Sequence, residues 1–461
     1  MSEPAAATPA DPGATMRSKP YRVLLVLAAL LGVLVSFASW CFLELVHWIQ
    51  TEVYQHLPSG LGLHPVPWWW PLPVLAVAGV LAAVAIIRLP GHGGHIPYEG
   101  IKAGATQPAD LPGILLAALA TLGLGLVLGP EAPLIAVGSG LAVLAVRRVR
   151  KDTPDQVMAV LAGSAAFAAI ATVFGSPVIG AIILVEAAGL GGPMLPLILL
   201  PGLMSAGIGS VVFLGMGHWT GLSSAAYALS PISLPAFSTL TAAEFGWDIL
   251  LAMAAALAVF AIRDLARRSA QMVARQPWLL IPAAALAVAG LAIGFAQITG
   301  QPADTVLFSG QDAFGSLLKQ GTAVSLSTLA LLLLFKGLAW GISLGNFRGG
   351  PTFPALFMGA AGGLLAAHLP GFSETPAVAV LMAAAAVSIL ELPLSATIIT
   401  LLLTAKAGIA TAPLIIVAVV VAYLTIKTLT PAPGRAAPTP PATEPQPAVS
   451  SQPGPATEGP G

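Results

Sequence analysis

Charge is what this sequence has least of. Asp, Glu, Lys and Arg make up 8% of its 461 residues, against roughly 25% in soluble globular domains, which excludes a soluble globular fold. The 19 basic and 19 acidic side chains cancel, so no charge excess draws the chain toward nucleic acid or an acidic substrate. A single cysteine, Cys41, excludes an internal disulfide. The seven histidines and that cysteine fall in no zinc-binding spacing. Glu44 and His47 make one half of a bundle di-metal motif, but no second copy follows. Phosphate-binding loops, dinucleotide loops and a Ser/His/Asp order are also missing. No metal, cofactor, nucleic-acid partner or enzymatic activity is expected.

Apolar runs are what fill the chain. Hydrophobic residues amount to 57% and mean hydropathy is +0.89, the composition of an all-α polytopic membrane protein. Apolar segments cover roughly 21–49, 70–88, 112–128, 131–146, 157–173, 176–189, 194–215, 245–262, 278–298, 324–344, 353–368, 376–390, 393–404 and 412–428. Several fall short of the ~20 residues that span a bilayer. Breaks come at Gly129–Pro133, Gly175–Pro177, Gly349–Pro354 and Glu391–Pro393. In lipid, irregular backbone survives only where protein buries it or where it lines a wet cavity, so broken helices point to an ion or substrate site.

Residues 1–20 read as a disordered tail, and so do residues 431–461 with their ten prolines. Neither resembles a cleaved signal. Basic clusters at Arg17/Lys19/Arg22, Arg147/Arg148/Arg150/Lys151 and Arg263/Arg267/Arg268 mark the expected cytoplasmic face. This puts both tails in the cytoplasm and Trp68–Trp70 in the opposite interfacial belt.

Between the tails, residues 21–430 read as one transmembrane unit of two repeats, about 21–215 and 245–430. Gly129-Pro130-Glu131-Ala132-Pro133 is followed five residues on by Gly138, and Gly350-Pro351-Thr352-Phe353-Pro354 by Gly359. Both read G-P-x-x-P-x-x-x-x-G and open a short apolar helix. A second breaker follows each, at Ser176-Pro177 and Leu392-Pro393, after proline-to-proline intervals of 44 and 39 residues. Two matches in the same order indicate an internal repeat. Helices that begin inside the membrane aim free N–H groups and a positive dipole end into the protein. Two such ends converging bind an anion without a full charge, which would hold it too tightly. The near-absence of Lys and Arg in the breakers fits that expectation.

These motifs resemble the ClC family of chloride channels and proton-coupled chloride exchangers. Gly93-Gly94-His95-Ile96-Pro97 is similar to that family's G-S-G-I-P loop, Gly129-Pro130-Glu131-Ala132-Pro133 to its G-R/K-E-G-P loop, and Gly350-Pro351-Thr352-Phe353-Pro354 to its G-x-F-x-P loop. Phe42–Gln50, Ser176–Glu186, Lys336 and Pro413–Ile416 agree as flanking stretches. The resemblance implies a ClC-like inverted repeat of tilted, broken and re-entrant helices and a homodimer with one anion path per subunit. It also implies a multi-pass protein of the cell membrane, the bacterial inner membrane in particular. The implied partners are chloride or another small anion, protons if transport is coupled, and the lipid bilayer. The family's nucleotide-sensing CBS pair has no room in the 31 residues after the last helix.

By the same resemblance Glu131 is the gate, and Gly94, His95, Ile96, Glu131, Ala132, Pro351, Thr352 and Phe353 form the anion site. Glu131 and Glu186 are the candidate proton path. Two readings of Glu131 stand: a capping carboxylate, or a carboxylate that occupies the anion's place and swings away when protonated or displaced. Glu186 is read either as a structural acid at a watery vestibule or as a proton relay, with Ala187 where exchangers often carry the relaying glutamate. Glu391 reads as a structural interfacial charge.

Departures from the family pattern remove donors. Gly94 lacks the loop serine's hydroxyl, Pro130 and Pro351 have no N–H, and the pore tyrosine has no counterpart, since Tyr423 lies inside the last helix. Weaker chloride binding and poor discrimination among small anions are therefore expected, with His95 and the Thr352 hydroxyl as candidate replacements. Channel-like conduction and proton coupling both remain open, as does another substrate on the same fold.

Overall fold

In the computed structural model, residues 12–100, 104–189, 191–192, 195–222, 229 and 231–430 are described. The tail 431–461 and residues 1–11 lie outside the described residues. The rest of the expected N-terminal tail is helical: α1 (Pro12–Arg17) runs into α2 (Lys19–Thr51), whose first turn is capped by the Ser18 hydroxyl accepting from Tyr21 N. Then follow α3 (Leu57–Gly60), α4 (Pro71–Arg88), α5 (Leu111–Ala118), α6 (Glu131–Val149), α7 (Asp155–Phe174), α8 (Pro177–Ala187) and α9 (Leu195–Thr220). The second half holds α10 (Ala242–Val273), α11 (Pro277–Thr299), α12 (Gln311–Gln320), α13 (Leu326–Asn346), α14 (Thr352–Ala366), α15 (Glu374–Leu390), α16 (Pro393–Leu403) and α17 (Ala412–Leu429). Among the described residues nine helices are long and apolar enough to cross a membrane, and five shorter apolar ones accompany them. The protein is thus an all-α, multi-pass membrane protein.

The two halves repeat one packing plan. Helix α7 packs on α2, α6 and α9, and α15 packs correspondingly on α10, α14 and α17. Both α7 and α15 are buried nearly all round, and every residue of α15 from Thr375 to Leu390 is inaccessible, as their uniform apolarity requires. Each ends in a left-handed residue, Gly175 and Glu391, and each is followed by an 11-residue helix that opens on proline. The matching Gly129 and Gly350 pair with each other: Gly129 N donates to Gly350 O at 2.7 Å and Gly350 N donates back to Gly129 O. Reciprocal bonding between equivalent positions is what a pseudo-two-fold axis through this point produces.

Packing between α14 and α15 is close. A Cβ on Gly359 would stand 2.5 Å from Met382 Cα, and Gly363, one turn on, lies equally hard against Val378. Small residues four apart let two backbones touch where lipid gives helices no hydrophobic reason to associate.

Two elements exceed the segments read from hydropathy. Helix α10 continues past residue 262 to Val273, carrying Arg263, Arg267 and Arg268 as a helical basic end. The strongly amphipathic α12 has no counterpart among those segments. At the basic end, Glu391 accepts from Arg263 and, at 2.6 Å, from Lys427. This joins α10, α15 and α17 on one face. Burial opposes the ionised form, but the two cations outweigh it and hold the Glu391 carboxyl below its ordinary range. A lowered folded-state value means the stabilisation is complete above the ordinary glutamate range and is lost as pH falls through the lowered one.

Candidate functional site

Helices α6 and α14 begin deep inside the protein, each immediately after a proline that caps the first turn, Pro130 and Pro351. Their N-termini meet at the Gly129–Gly350 bridge, so their unpaired N–H groups face a common point. Glu131, the first residue of α6, is 1% exposed and fills that point. Its Oε1 accepts from Thr352 N at 2.9 Å and from Phe353 N at 3.1 Å, 221 and 222 residues away. Its Oε2 has no hydrogen-bond partner and lies where a side chain on Gly350 would have to go. The glycine is therefore required for the carboxylate to reach the second repeat.

Neither proline can donate, and the two bonds come from the amides that follow Pro351. The Thr352 hydroxyl, fully buried, makes no hydrogen bond. Phe353 is fixed by its ring contact with Phe174, 5.6 Å between centroids, at the end of α7. The Ser176-Pro177 breaker follows two residues later. Ala132 and Pro351 stand on the same two helix starts.

Gly94, His95 and Ile96 lie apart from this pair, in the loop after α4. The backbone there is left-handed at Gly91, His92, Gly93 and Gly94. His95 turns its ring inward on its own loop, with Nε2 2.9 Å from Gly100 O. The connection between this loop and the Glu131 pair is Arg348, a residue the motifs do not include. It directly precedes Gly349-Gly350, is 8% exposed, and donates from Nε to His92 O at 3.2 Å. Arg348 thus puts one full positive charge two residues before Gly350 in the chain. The signal was available: Arg348 is the sole basic residue between Lys336 and Lys406.

On the opposite side a cavity of about 790 Å³ opens between the C-terminal part of α2, Trp68, Trp70 and the stretch Gln301–Gly310. A smaller recess lined by His47, Gln50, Ser309 and Gln311 continues from it to Pro130, beside Glu131. The irregular backbone around this vestibule is satisfied from side chains. Gln50 Nε2 donates to Leu122 O at 2.8 Å, Tyr54 Oη to Leu124 O at 2.9 Å, and Val127 N to Ser343 Oγ at 3.2 Å. Buried Lys336 gathers the carbonyls of Thr305, Val306, Leu307 and Phe308.

Glu186, at the opposite end of α8 from the Ser176-Pro177 breaker, makes a comparable contact with the helix start that follows Leu392-Pro393. From the end of α8 it reaches the N-terminus of α16. Oε1 accepts from Leu394 N at 2.9 Å, and Oε2 accepts from Ser395 N at 2.7 Å and Ser395 Oγ at 2.6 Å. In both places a first-repeat carboxylate caps a second-repeat helix just after its proline. Because a charged acceptor serves three donors, Glu186→Ala is expected to cost about 1–3 kcal/mol of stability. Thermal unfolding in detergent measures it; an unchanged midpoint would mean water replaces the cap at no cost.

Comparisons with known proteins agree with this architecture. The family model described as "Voltage gated chloride channel" matches residues 99–427. The "Putative ion-transport protein YfeO" of Escherichia coli O1:K1 and that of Escherichia fergusonii are each 29% identical over 359 residues, covering 77% of this chain and 81% of theirs. Among solved structures, a slow cyanobacterial Cl−/H+ antiporter superposes with a TM-score of 0.72 at 18% identity, covering 88% of this chain and 94% of its own. A eukaryotic CLC transporter gives 0.67 at 16% identity, covering 88% and 72%. A CLC-type fluoride/proton antiporter gives 0.60 at 16%, covering 88% and 96%.

Proposed function

Because the chain belongs to the voltage-gated chloride channel family, we propose that it moves chloride or a similar small anion across a membrane along a path closed by Glu131. The observation that carries this reading is the Glu131 carboxylate held by the amides of Thr352 and Phe353. It is an anion of the protein's own, lodged on two converging helix N-termini. A solute anion arriving through the vestibule would meet those same donors once the carboxylate leaves. With few donors and no hydroxyl at Gly94, the site suits weak, permissive binding, so fluoride, nitrate and other small anions belong to the candidate set.

Residues 21–430 then act as one transmembrane unit of two repeats, paired with a second copy. The basic ends of α2, α6 and α10 face the cytoplasm of a bacterial inner membrane, and the vestibule faces outward. Glu131 serves as the outer proton-binding group if transport is coupled. Glu186, pinned on α16, could relay protons only by detaching from three donors, which favours channel-like conduction.

Flux from proteoliposomes tests the reading. Chloride, fluoride, nitrate and sulfate are loaded separately, with and without a proton gradient. Efflux of a monovalent anion is expected. Uphill proton movement driven by that anion would assign exchange, and downhill flux alone would assign a channel. No flux with any of the four would overturn the proposal.

A further inference from the structure

We propose that Phe308, together with His47 and Gln50, forms a fixed neck that sets the largest anion able to reach Glu131 from the vestibule, an inference that rests on the anion-transport reading above. These three residues line both the vestibule of about 790 Å³ and the recess that ends at Pro130. They therefore frame the passage from one to the other. The recess itself holds about 50 Å³, room for a small solute or a few waters. His47 and Gln50 come from one face of α2, about one turn apart. Phe308 comes from the irregular stretch between α11 and α12 in the other repeat.

Both walls are held in place. Gln50 is tied by its bond to Leu122 O. Tyr54, four residues on, donates to Leu124 O, and the Phe308 ring packs edge-on against it with centroids 5.1 Å apart. Phe308 N donates to Gly125 O at 3.0 Å, and its carbonyl accepts from the buried Lys336 ammonium at 3.3 Å. These contacts keep a phenylalanine in the left-handed region, at φ 58°, which a bulky side chain rarely adopts. Such backbone persists only where its surroundings dictate it, and it gathers at functional sites. Glycine or asparagine would make the same turn with less strain. The turn therefore does not account for an aromatic ring at this position, whereas a place on the wall of both cavities does.

A rigid opening discriminates by size. The amides of Thr352 and Phe353 do not, since backbone donors serve any small anion. The class of solute that follows is compact monovalent anions such as fluoride, chloride and nitrate. Bulkier ions of the same charge are turned away before they reach Glu131.

Full-length protein in proteoliposomes is loaded with potassium chloride or potassium methanesulfonate, which carries the same charge on a bulkier frame. Valinomycin and a protonophore balance charge and pH, so channel and exchanger alike give efflux. The methanesulfonate-to-chloride rate ratio is the reading, and in the wild type it is expected to be small. Phe308→Gly is expected to raise that ratio about tenfold or more, the scale on which a single methyl-sized group is discriminated. Phe308→Asn, which also tolerates left-handed backbone, is expected to raise it less. A ring that only packs on Tyr54 would lower the unfolding temperature and leave the ratio as in the wild type, and that result overturns the proposal. A wild type that passes both anions alike overturns it too. If Phe308→Gly does not fold, an unchanged ratio in Phe308→Asn overturns it alone. No chloride efflux from the wild type would remove the anion-transport reading together with this one. Wild-type chloride efflux with an unchanged ratio in the variants removes only this one.

Discussion

Replacing Glu131 with glutamine is expected to abolish the pH dependence of anion flux and to strengthen anion binding. On the proposed reading, the wild-type carboxylate competes with a solute anion for the amides of Thr352 and Phe353, to which it is bonded. Hydrogen bonds to a charged group are worth about 1.5–3 kcal/mol each. Removing that competitor's charge should raise apparent anion affinity by about tenfold or more. Protonation does the same reversibly, so wild-type flux should rise as pH falls and the glutamine variant should run at the fast rate throughout. Glutamine keeps the shape and one carbonyl acceptor, and Oε2 has no partner to lose, so the fold should survive. The measurement is flux at several pH values with binding by calorimetry. A folded variant whose flux still follows pH as in the wild type would show that Glu131 is a cap and not the gate.

Lys336→Met is expected to be the most destabilising substitution in the vestibule wall. The ammonium is fully buried and accepts nothing. It donates to the carbonyls of Thr305, Val306 and Leu307 at 3.0 Å and of Phe308 at 3.3 Å. Its Nζ also lies 4.6 Å above the Phe357 ring of α14. Four carbonyls converging on one point repel one another unless a cation sits among them. Methionine fits the stem but leaves them without that donor. Breaking a buried charged network in this way costs about 3–5 kcal/mol. The loss should appear as a lower unfolding midpoint and as reduced flux, because Phe308 lines the recess leading to Glu131. A midpoint equal to the wild type would mean the carbonyls find other donors. Glu131→Gln alters transport without altering stability, and Lys336→Met alters both, so the pair separates gate from scaffold.

Local chemistry alone determined a good deal about this protein. Scarce charge and long apolar runs required a membrane, since such a chain has nowhere else to bury its surface. Proline and glycine placed the helix breaks to within a few residues because both act on their own backbone. The repeated G-P-x-x-P pattern announced two equivalent helix starts, and Glu131 stood out as an acid where acids are costly. What the sequence could not determine was which groups meet. The donors to Glu131 are backbone amides, carried alike by nearly every residue, and they become a site only when two helix starts 221 residues apart converge at the Gly129–Gly350 bridge. Glu186, a candidate relay by its position, is tied by three bonds to α16, because the C-terminal end of α8 meets that helix start. Arg348, which belongs to none of the motifs, lies buried between two loops 256 residues apart in sequence. Side-chain identity fixes local preferences, whereas convergence is a property of the folded inverted repeat. The proposed anion site is made almost wholly of convergence.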